Sequence, residues 1–400
     1  MPHPLPTSSP LQTSSIDSFG PISLVVIQAT SFCNLDCDYC YLPDRRLKNQ
    51  ISLDLIDPIF EKLFTSRFVG DRFTVCWHAG EPLSVPIAFY QEIFERIRRA
   101  SERYNAGGCQ VSYSIQTNGT LINQAWCDFI KAHRIRVGVS VDGPEFIHNA
   151  HRKTLKGDGT FAQTLRGMTL LKQNGIDFHT ISVLTRYALD FPDEMFHFFM
   201  ENQIHRIGFN VEEVEGIHQD SSLGSQSAED QYRAFMARFW ELTKQTHGLL
   251  KVREFDRICG LLYTGQRVSR NQQCVPFAII NIDNQANFST FSPELLSLKD
   301  QAGEGFVLGN LLCDRLESVC STEKFQRIYQ SILSGVNQCR STCQYFGVCG
   351  GGAPSNKYWE NQTFNSTETQ SCRLYKQTVT DILLADVEAS LGLRSPVPAR

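Results

Sequence analysis

Residues 31–41 read SFCNLDCDYCY and directly follow an apolar run, residues 23–30, that has the length of one strand. The stretch contains Cys33, Cys37 and Cys40, which are separated by three residues and then by two. Three thiolates hold three irons of a cubane 4Fe-4S cluster and leave the fourth iron open, as a cluster that binds and reduces a substrate requires. The preceding strand places the stretch at a carboxyl strand end, where barrel enzymes build their sites. It therefore predicts an iron-sulfur cluster in an α/β fold.

Two other uses of closely spaced cysteines fit this stretch less well. A structural zinc site needs four ligands, and no His or Cys follows within about ten residues to complete a tetrahedron. A disulfide framework does not leave an odd cysteine beside two aromatic residues in a chain of intracellular character. The iron-sulfur interpretation is therefore the one we carry forward.

The composition describes a globular chain of enzyme size. With 400 residues, 42% of them hydrophobic, the chain has room for one barrel-sized domain and a smaller one. A net charge of -4 without a long run of like charge gives no case for nucleic-acid binding. The longest apolar runs have only the length of strands, so we expect no membrane association.

The two ends of the chain predict flexible segments. Residues 1–21 are rich in Ser, Thr and Pro and lack the basic start and apolar centre of a signal peptide, so we expect a flexible arm on a cytoplasmic protein. Residues 391–400 contain two prolines and are expected to fray. In a reducing compartment, the 14 cysteines indicate metal ligands and buried thiols.

Between residues 22 and 216, strand-like segments alternate with amphipathic helical patterns, as in repeated βα units. The predicted strands are 23–30, 72–78, 111–118, 136–142, 177–185 and 206–212. The predicted helices between them are 55–64, 87–104, 123–133, 161–174 and 191–203. Right-handed crossovers join such units into a partial barrel or a doubly wound parallel sheet, since full closure would need eight units and six are visible.

After residue 216 the composition changes. Residues 217–258 predict a polar linker followed by a bridging helix over 231–246. Residues 259–390 predict a small cysteine-rich domain with short strands at 277–282, 287–291 and 306–309 and a closing helix at 381–389.

Side chains suited to binding a ligand collect at the ends of successive strands. A small-residue turn followed by a carboxylate suits recognition of an ammonium group, although such a turn is also an ordinary strand-to-helix connection. Several such ends in series favour one shared ligand pocket over isolated turns. The candidates are His78, Ala79, Gly80 and Glu81 after the second strand, Ser140 at the end of the fourth, Arg152 in the loop that follows, and Leu184 at the end of the fifth.

Two acids follow the sixth strand. Glu212 and Glu213 can orient a peptide or act as a catalytic base, or they can simply face solvent.

A second group of cysteines lies near the carboxyl terminus and consists of Cys339, Cys343, Cys349 and, after a run of three glycines, Cys372. Four thiolates saturate a second cluster, and a glycine-rich loop lets backbone amides approach the sulfurs. Zinc bound by the same four thiolates is the alternative. The default for the remaining cysteines is a small buried side chain.

With these motifs, the chain resembles the radical S-adenosylmethionine (SAM) superfamily, and specifically its members with a C-terminal SPASM domain. The resemblance implies a partial (β/α)6 barrel followed by the cysteine-rich SPASM domain. It also implies that Cys33, Cys37 and Cys40 hold the SAM-cleaving 4Fe-4S cluster, with Tyr39 packed beside it. Residues 79–82, Ala-Gly-Glu-Pro, resemble the Gly-Gly-Glu-Pro motif that binds the SAM amino group. Ser140 and Arg152 match positions that contact the SAM ribose and carboxylate in relatives.

The SPASM part departs from the two-cluster pattern of the family. Thr290 stands where relatives have a cluster cysteine, Phe291 where they have an acid, and Ala353 where they have another cysteine. Cys259 and Cys274 remain as possible remnants of a lost site. The resemblance therefore implies one auxiliary 4Fe-4S cluster, on the four C-terminal cysteines. The missing acid argues against sulfatase-maturase chemistry, in which that acid deprotonates the substrate side chain.

Residues 288–295 and 210–216 resemble the cyclophane-forming maturases of glycine-rich peptides. Those enzymes are thought to join an aromatic ring carbon to the β-carbon of a nearby residue in a ribosomal precursor peptide. The resemblance implies that peptide as substrate and a flavodoxin- or ferredoxin-type protein as electron donor. The alternatives are a maturase that installs a thioether, an epimer or an oxidised side chain, and a non-catalytic iron-sulfur or zinc scaffold.

Overall fold

The computed structural model describes residues 18–296, 298–299 and 303–393. Most of the predicted arm and tail, residues 1–17 and 394–400, lies outside these residues. None of the described helices has the length and apolar character needed to cross a membrane.

Ten strands of the described chain form one sheet. They are β1 (Leu24–Ile27), β2 (Arg72–Trp77), β3 (Gln110–Thr117), β4 (Arg136–Ser140), β5 (Phe178–Leu184), β6 (Arg206–Val211), β7 (Lys251–Val252), β8 (Ile279–Ile282), β9 (Asn287–Thr290) and β10 (Gly309–Asn310). Their order is β10-β9-β8-β1-β2-β3-β4-β5-β6-β7. All six strands predicted for the barrel are confirmed, and they pair in parallel in chain order, as βα units require.

The cysteine-rich region extends this sheet. Strand β8 pairs in parallel with β1, Leu24 opposite Ile279, while β9 and β10 continue antiparallel from it. All four residues of β8 are buried, which suits a strand covered on both faces. Because β8 follows β1 by about 250 residues, no local sequence pattern predicts their pairing.

Helices flank the sheet and also build the C-terminal region. Those of the described chain are α1 (Ile56–Phe64), α2 (Ile87–Tyr104), α3 (Gln124–Ala132), α4 (Glu145–His151), α5 (Phe161–Gln173), α6 (Pro192–Glu201), α7 (Gln226–Gln245), α8 (Arg253–Thr264), α9 (Glu323–Thr342), α10 (Phe346–Cys349), α11 (Pro354–Asn361), α12 (Gln370–Cys372) and α13 (Val379–Ser390). A π-helical turn, Arg373–Thr378, joins α12 to α13.

The predicted helices are confirmed, but six helices of the described chain were not predicted: α4, α8, α9, α10, α11 and α12. Helix α9 has an apolar stripe and an N-cap, Thr322, whose hydroxyl accepts from the N–H of Phe325. Helix α7 begins five residues before the predicted helix because the Ser225 hydroxyl caps it by accepting from the N–H of Ala228.

The sheet and the C-terminal region share one hydrophobic core. Phe68 stacks on Phe277 with ring centroids 4.3 Å apart, and Phe277 stacks in turn on Phe325 of α9 at 5.6 Å. Phe19 touches this group from the start of the described chain. These contacts fix the C-terminal cysteines relative to the ends of the strands.

Candidate active site

The loop after β1 is held by backbone contacts on both sides of its cysteines. The N–H of Cys33 donates to the carbonyl of Arg45 at 2.9 Å, and the Arg45 guanidinium donates to the carbonyl of Cys37 at 2.8 Å. Thr30 donates to the carbonyl of Asn49 and closes the base of the loop. These hydrogen bonds hold the thiols of Cys33, Cys37 and Cys40 in place at the carboxyl end of β1.

The three thiols of this loop interact electrostatically with one another. Burial, followed by the charge of Glu81, raises the pKa of Cys33 to about 12, and burial raises that of Cys37 to about 11. Metal binding must therefore displace protons. Among the described residues, no group of three or more His, Cys, Asp or Glu side chains is arranged around a single metal ion.

Tyr39 belongs to a buried network behind the loop. Its hydroxyl donates to Asp142 Oδ2 at 2.5 Å, and Arg152 donates to the two oxygens of the same carboxylate at 2.9 and 3.0 Å. The guanidinium also lies 5.5 Å from the centre of the Tyr39 ring. Burial acts to raise the pKa of Asp142, but the charge of Arg152 holds that pKa below its usual value. The predicted SAM contacts Tyr39 and Arg152 are thus joined through Asp142, which the sequence analysis missed.

The turn after β2 approaches the cysteine loop closely. Ala79 and Gly80 both have positive φ, 73° and 59°, and the N–H of Glu81 donates to the carbonyl of Phe32 at 2.7 Å. A Cβ at position 80 would lie 2.6 Å from that same carbonyl oxygen, so only glycine fits. Ala79 holds a conformation that is costly for a residue with a side chain, and such strain is often stored at functional sites.

Glu81 is 1% exposed and accepts three hydrogen bonds. The donors are the N–H of Leu83 at 2.9 Å, the hydroxyl of Thr117 at 2.7 Å and the N–H of Asn118 at 2.8 Å. Burial nevertheless raises its pKa to about 6. The carboxylate therefore locks β2 to β3 and fixes the turn beside Cys33.

The other predicted pocket residues lie at the same edge of the sheet. His78 is half-buried, and desolvation lowers its pKa. The Ser140 hydroxyl accepts from the Gln116 side chain at 2.9 Å, and Leu184 is fully buried at the end of β5. The structure brings all these predicted residues to the strand ends that carry the cysteine loop.

The four C-terminal cysteines come together around α9, α10 and α12. Their thiols interact electrostatically, and a hydrogen bond from Cys372 lowers the pKa of Cys349 to about 6. The N–H of Gly352 donates to Cys349 Sγ at 3.1 Å, and the Lys357 ammonium donates to Cys339 Sγ at 3.4 Å. A buried ammonium among thiols fits an anionic metal group bound by four thiolates, either a cluster or zinc.

Thr290 and Phe291, which stand where the resemblance expects a cysteine and an acid, are packed inside the protein. The Thr290 hydroxyl accepts from the N–H of Phe277 at 2.7 Å and donates to the carbonyl of Ile279 at 2.9 Å. Phe291 is 1% exposed. Cys274 lies beside the C-terminal thiols, interacting with Cys339 and Cys349, whereas Cys259 on α8 interacts with Asp256 and Asp386.

A cavity of about 370 Å³ joins the end of β6 to the C-terminal cysteines. Its lining includes the carboxylates of Glu213 and Glu294 and the thiols of Cys349 and Cys372. Burial, and then the charge of Glu294, raises the pKa of Glu213 to about 8. A third acid, Glu215, is 3% exposed and interacts with both, and its own pKa is raised mainly by burial.

The two predicted acids take different places. Glu213 lines the cavity. The Glu212 carboxylate instead accepts hydrogen bonds from the N–H and hydroxyl of Ser222 and from His218, and these bonds hold the loop of residues 212–222 together. Glu215 and Glu294 were missed, although both lie in tracts that the sequence analysis singled out. Their approach depends on packing between distant parts of the chain, which sequence spacing does not reveal.

Residues 27–199 match the model of the radical SAM superfamily, and the cysteine loop with its adjoining turn lies within this match. The chain belongs to the radical SAM superfamily and is therefore an enzyme that uses SAM and an iron-sulfur cluster. Over 97% of its length it is 50% identical to an uncharacterized protein of Synechocystis sp., sll1766, and covers 98% of that protein.

Two more distant relatives extend the comparison. Over 84% of each chain, the protein is 26% identical to the serine-type anaerobic sulfatase-maturating enzyme of Bacteroides thetaiotaomicron. The solved structure described as native anSMEcpe with bound AdoMet and Cp18Cys peptide has a TM-score of 0.75 at 20% identity, and the match covers 94% of this chain and 100% of that one. The likeness shows a shared α/β radical SAM fold with a parallel sheet.

Proposed function

We propose that this enzyme modifies a ribosomally made, glycine-rich precursor peptide by joining an aromatic ring carbon to the β-carbon of a nearby residue. The observation that carries the proposal is the cavity between Glu213 and the thiols of Cys349 and Cys372. Forming such a bond removes two hydrogens from the peptide: the SAM-derived radical takes one as an atom, and the site must accept the other as one proton and one electron. A carboxylate, Glu213, and two of the four C-terminal thiols line the same cavity, which supports the proposal.

In this proposal, Cys33, Cys37 and Cys40 hold the SAM-cleaving cluster, and the neighbouring strand ends form the SAM pocket. When bound, the cluster and SAM supply a 5′-deoxyadenosyl radical, which takes a hydrogen atom from the peptide β-carbon. The turn at Ala79 and Gly80 supports this role because it lies against the cysteine loop, where the N–H of Glu81 donates to the carbonyl of Phe32. The pocket residues are Tyr39, His78, Ala79, Gly80, Glu81, Ser140, Arg152 and Leu184.

Glu213 is the proposed proton acceptor. Attack of the β-carbon radical on the ring forms the carbon-carbon bond, and the ring regains aromaticity by losing one proton and one electron. Glu213 lines the cavity, and its pKa of about 8 suits an exchange of protons near neutral pH. Glu212 supports the role of Glu213 from the adjoining position, because its hydrogen bonds to Ser222 and His218 hold the loop after β6 in place.

The proposed acceptor of the electron that the ring loses is one auxiliary 4Fe-4S cluster. Its proposed ligands are Cys339, Cys343, Cys349 and Cys372. The buried Lys357 ammonium and the N–H of Gly352 at these sulfurs support an anionic cluster there.

A flavodoxin- or ferredoxin-type protein is the proposed source of the electron that starts each cycle. The domain division that we propose follows these sites, with the barrel at 22–216, the bridge at 217–258 and the SPASM domain at 259–390.

Phe291 supports a reaction other than sulfatase maturation. The family resemblance places the deprotonating acid of those enzymes at this position, but Phe291 is 1% exposed and packs on Phe325 of the shared core. Position 291 therefore has no carboxylate, and the acids that line the cavity stand at other positions: Glu213, Glu254 and Glu294.

The test is to coexpress the protein with a short glycine-rich peptide encoded beside its gene and to measure the peptide mass and connectivity. We expect a loss of two hydrogens and a new ring-to-β-carbon bond. An unchanged mass with an inverted stereocentre would indicate an epimerase, and a crosslink through sulfur would indicate a thioether maturase. A peptide left unmodified by protein that cleaves SAM would contradict this choice of substrate.

A further inference from the structure

Lys357 is a buried cation whose partners are sulfur atoms. It lies on α11, is 3% exposed and donates to Cys339 Sγ at 3.4 Å. Its charge also acts on the thiol of Cys274. Lysine is among the residues most rarely buried, and a buried ammonium needs a compensating negative charge.

The surrounding backbone leaves room for this side chain. A Cβ at position 335 of α9 would lie 2.3 Å from the carbonyl oxygen of Phe364 and 3.1 Å from Lys357 Nζ, and one at position 352 would lie 3.6 Å from Lys357 Cε, an ordinary contact. The Lys357 side chain passes beside these two glycines, in a slot between α9 and the loop after α10, and reaches Cys339. The ammonium is thus fixed in place and is not a mobile surface group.

Two residues that the resemblance connects with a lost metal site, Ala353 and Cys274, lie near this slot. Ala353, where the resemblance expects a cysteine, is one helical turn before Lys357, and the N–H of Lys357 donates to its carbonyl. Cys274, the remnant on this side, donates to the carbonyl of Gly352 at 3.2 Å. A fixed cation therefore stands beside Cys339 and Cys274.

We propose that Lys357 is a positioning residue that raises the reduction potential of the auxiliary cluster on the four C-terminal cysteines. This inference depends on the proposed presence of that cluster. A 4Fe-4S cluster with four thiolates carries a charge of 2− when oxidised and 3− after it gains one electron. A fixed cation stabilises the second state more, and a hydrogen bond to a ligand sulfur acts in the same direction. Lys357 thereby favours transfer of one electron from the substrate ring to the cluster.

The test measures the midpoint potential of the auxiliary cluster in a variant that lacks Cys33, Cys37 and Cys40, so that one cluster remains. Potentiometric titration followed by electron paramagnetic resonance is compared for Lys357, Lys357→Met, Lys357→Gln and Lys357→Arg, with iron content measured for each. Lys131→Met, on the distant helix α3, is the control. We expect Lys357→Met to make reduction at least tenfold less favourable, which is about 59 mV for one electron. Lys357→Arg and the control keep the original potential.

Three outcomes separate the possibilities. A signal whose potential is the same in Lys357→Met and Lys357→Gln as in the parent overturns the inference and leaves the proposed function standing. Loss of iron from both neutral variants also overturns it, because Lys357 would then be needed to hold the cluster and not to tune it. A parent that binds zinc or no iron at these cysteines overturns the auxiliary cluster, and this inference with it.

Discussion

Replacing Arg152 by methionine removes the cation that neutralises the buried carboxylate behind the cysteine loop. Arg152 is 7% exposed and Asp142 1% exposed, and two charge-assisted hydrogen bonds join them. Breaking a buried ion pair by removing one partner typically costs about 3–5 kcal/mol, because the other charge stays buried and uncompensated. We therefore expect Arg152→Met to lower the melting temperature by several degrees.

The double variant Arg152→Met with Asp142→Asn removes both charges. We expect it to recover about 2 kcal/mol or more relative to the sum of the single changes, because neither charge is then left alone. Arg327→Met is the matched control. Arg327 pairs with Glu304 at 2.9 Å, the same distance, but both side chains are more than half exposed, so the expected loss is under about 1 kcal/mol.

The assay is anaerobic thermal unfolding of the reconstituted proteins, followed by circular dichroism. A melting temperature for Arg152→Met as close to the parent as that of Arg327→Met would refute the reasoning. So would a double variant whose loss equals the sum of the two single losses. In either case the network would not anchor Tyr39 through charge compensation.

Other consequences of the site are open to direct measurement. Glu213→Gln should leave SAM cleavage intact and lower crosslinked product by about 10²-fold or more, the scale of a lost general base, as product mass spectrometry would show; equal product would exclude it as the base. Because the pKa of Glu213 rises from 4.5 to about 8 on folding, the folded protein holds a proton that the unfolded chain releases, so stability should fall as pH rises through this range. Glu213→Gln should flatten that fall in melting curves, and an unchanged slope would contradict the shift. Cys372→Ala should roughly halve the iron content and spare SAM cleavage, and full iron content would rule it out as a ligand. Gly80→Ala places a Cβ 2.6 Å from the carbonyl oxygen of Phe32 and should weaken SAM binding measured by equilibrium dialysis, whereas unchanged affinity would show that the turn tolerates it.

The barrel half of the fold was predictable because its signals are local. Each βα unit has its own apolar strand and striped helix, and all six strands appear where those patterns place them. The cysteine loop is equally local, since its thiols lie within eight residues. The pairing of β8 with β1 was not predictable, because it depends on a contact between residues about 250 positions apart.

The site was predictable in its residue types but not in its partners. Arg152 was predicted to lie at the ligand pocket, and the sequence did not reveal that its guanidinium binds Asp142 inside the protein. Glu294 and Lys357 gave no periodic or spacing signal, because their importance comes from burial next to groups on other elements. Long-range electrostatics of this kind becomes visible only when the chain is folded.

The central claim is that this enzyme takes a hydrogen atom from a peptide β-carbon and then forms a carbon-carbon bond. The most direct test is anaerobic incubation of the reconstituted protein with SAM, reductant and a precursor peptide deuterated at the β-carbon. We predict deuterium in the 5′-deoxyadenosine and a crosslinked peptide that has lost that deuterium. Undeuterated 5′-deoxyadenosine alongside crosslinked peptide would contradict the claim.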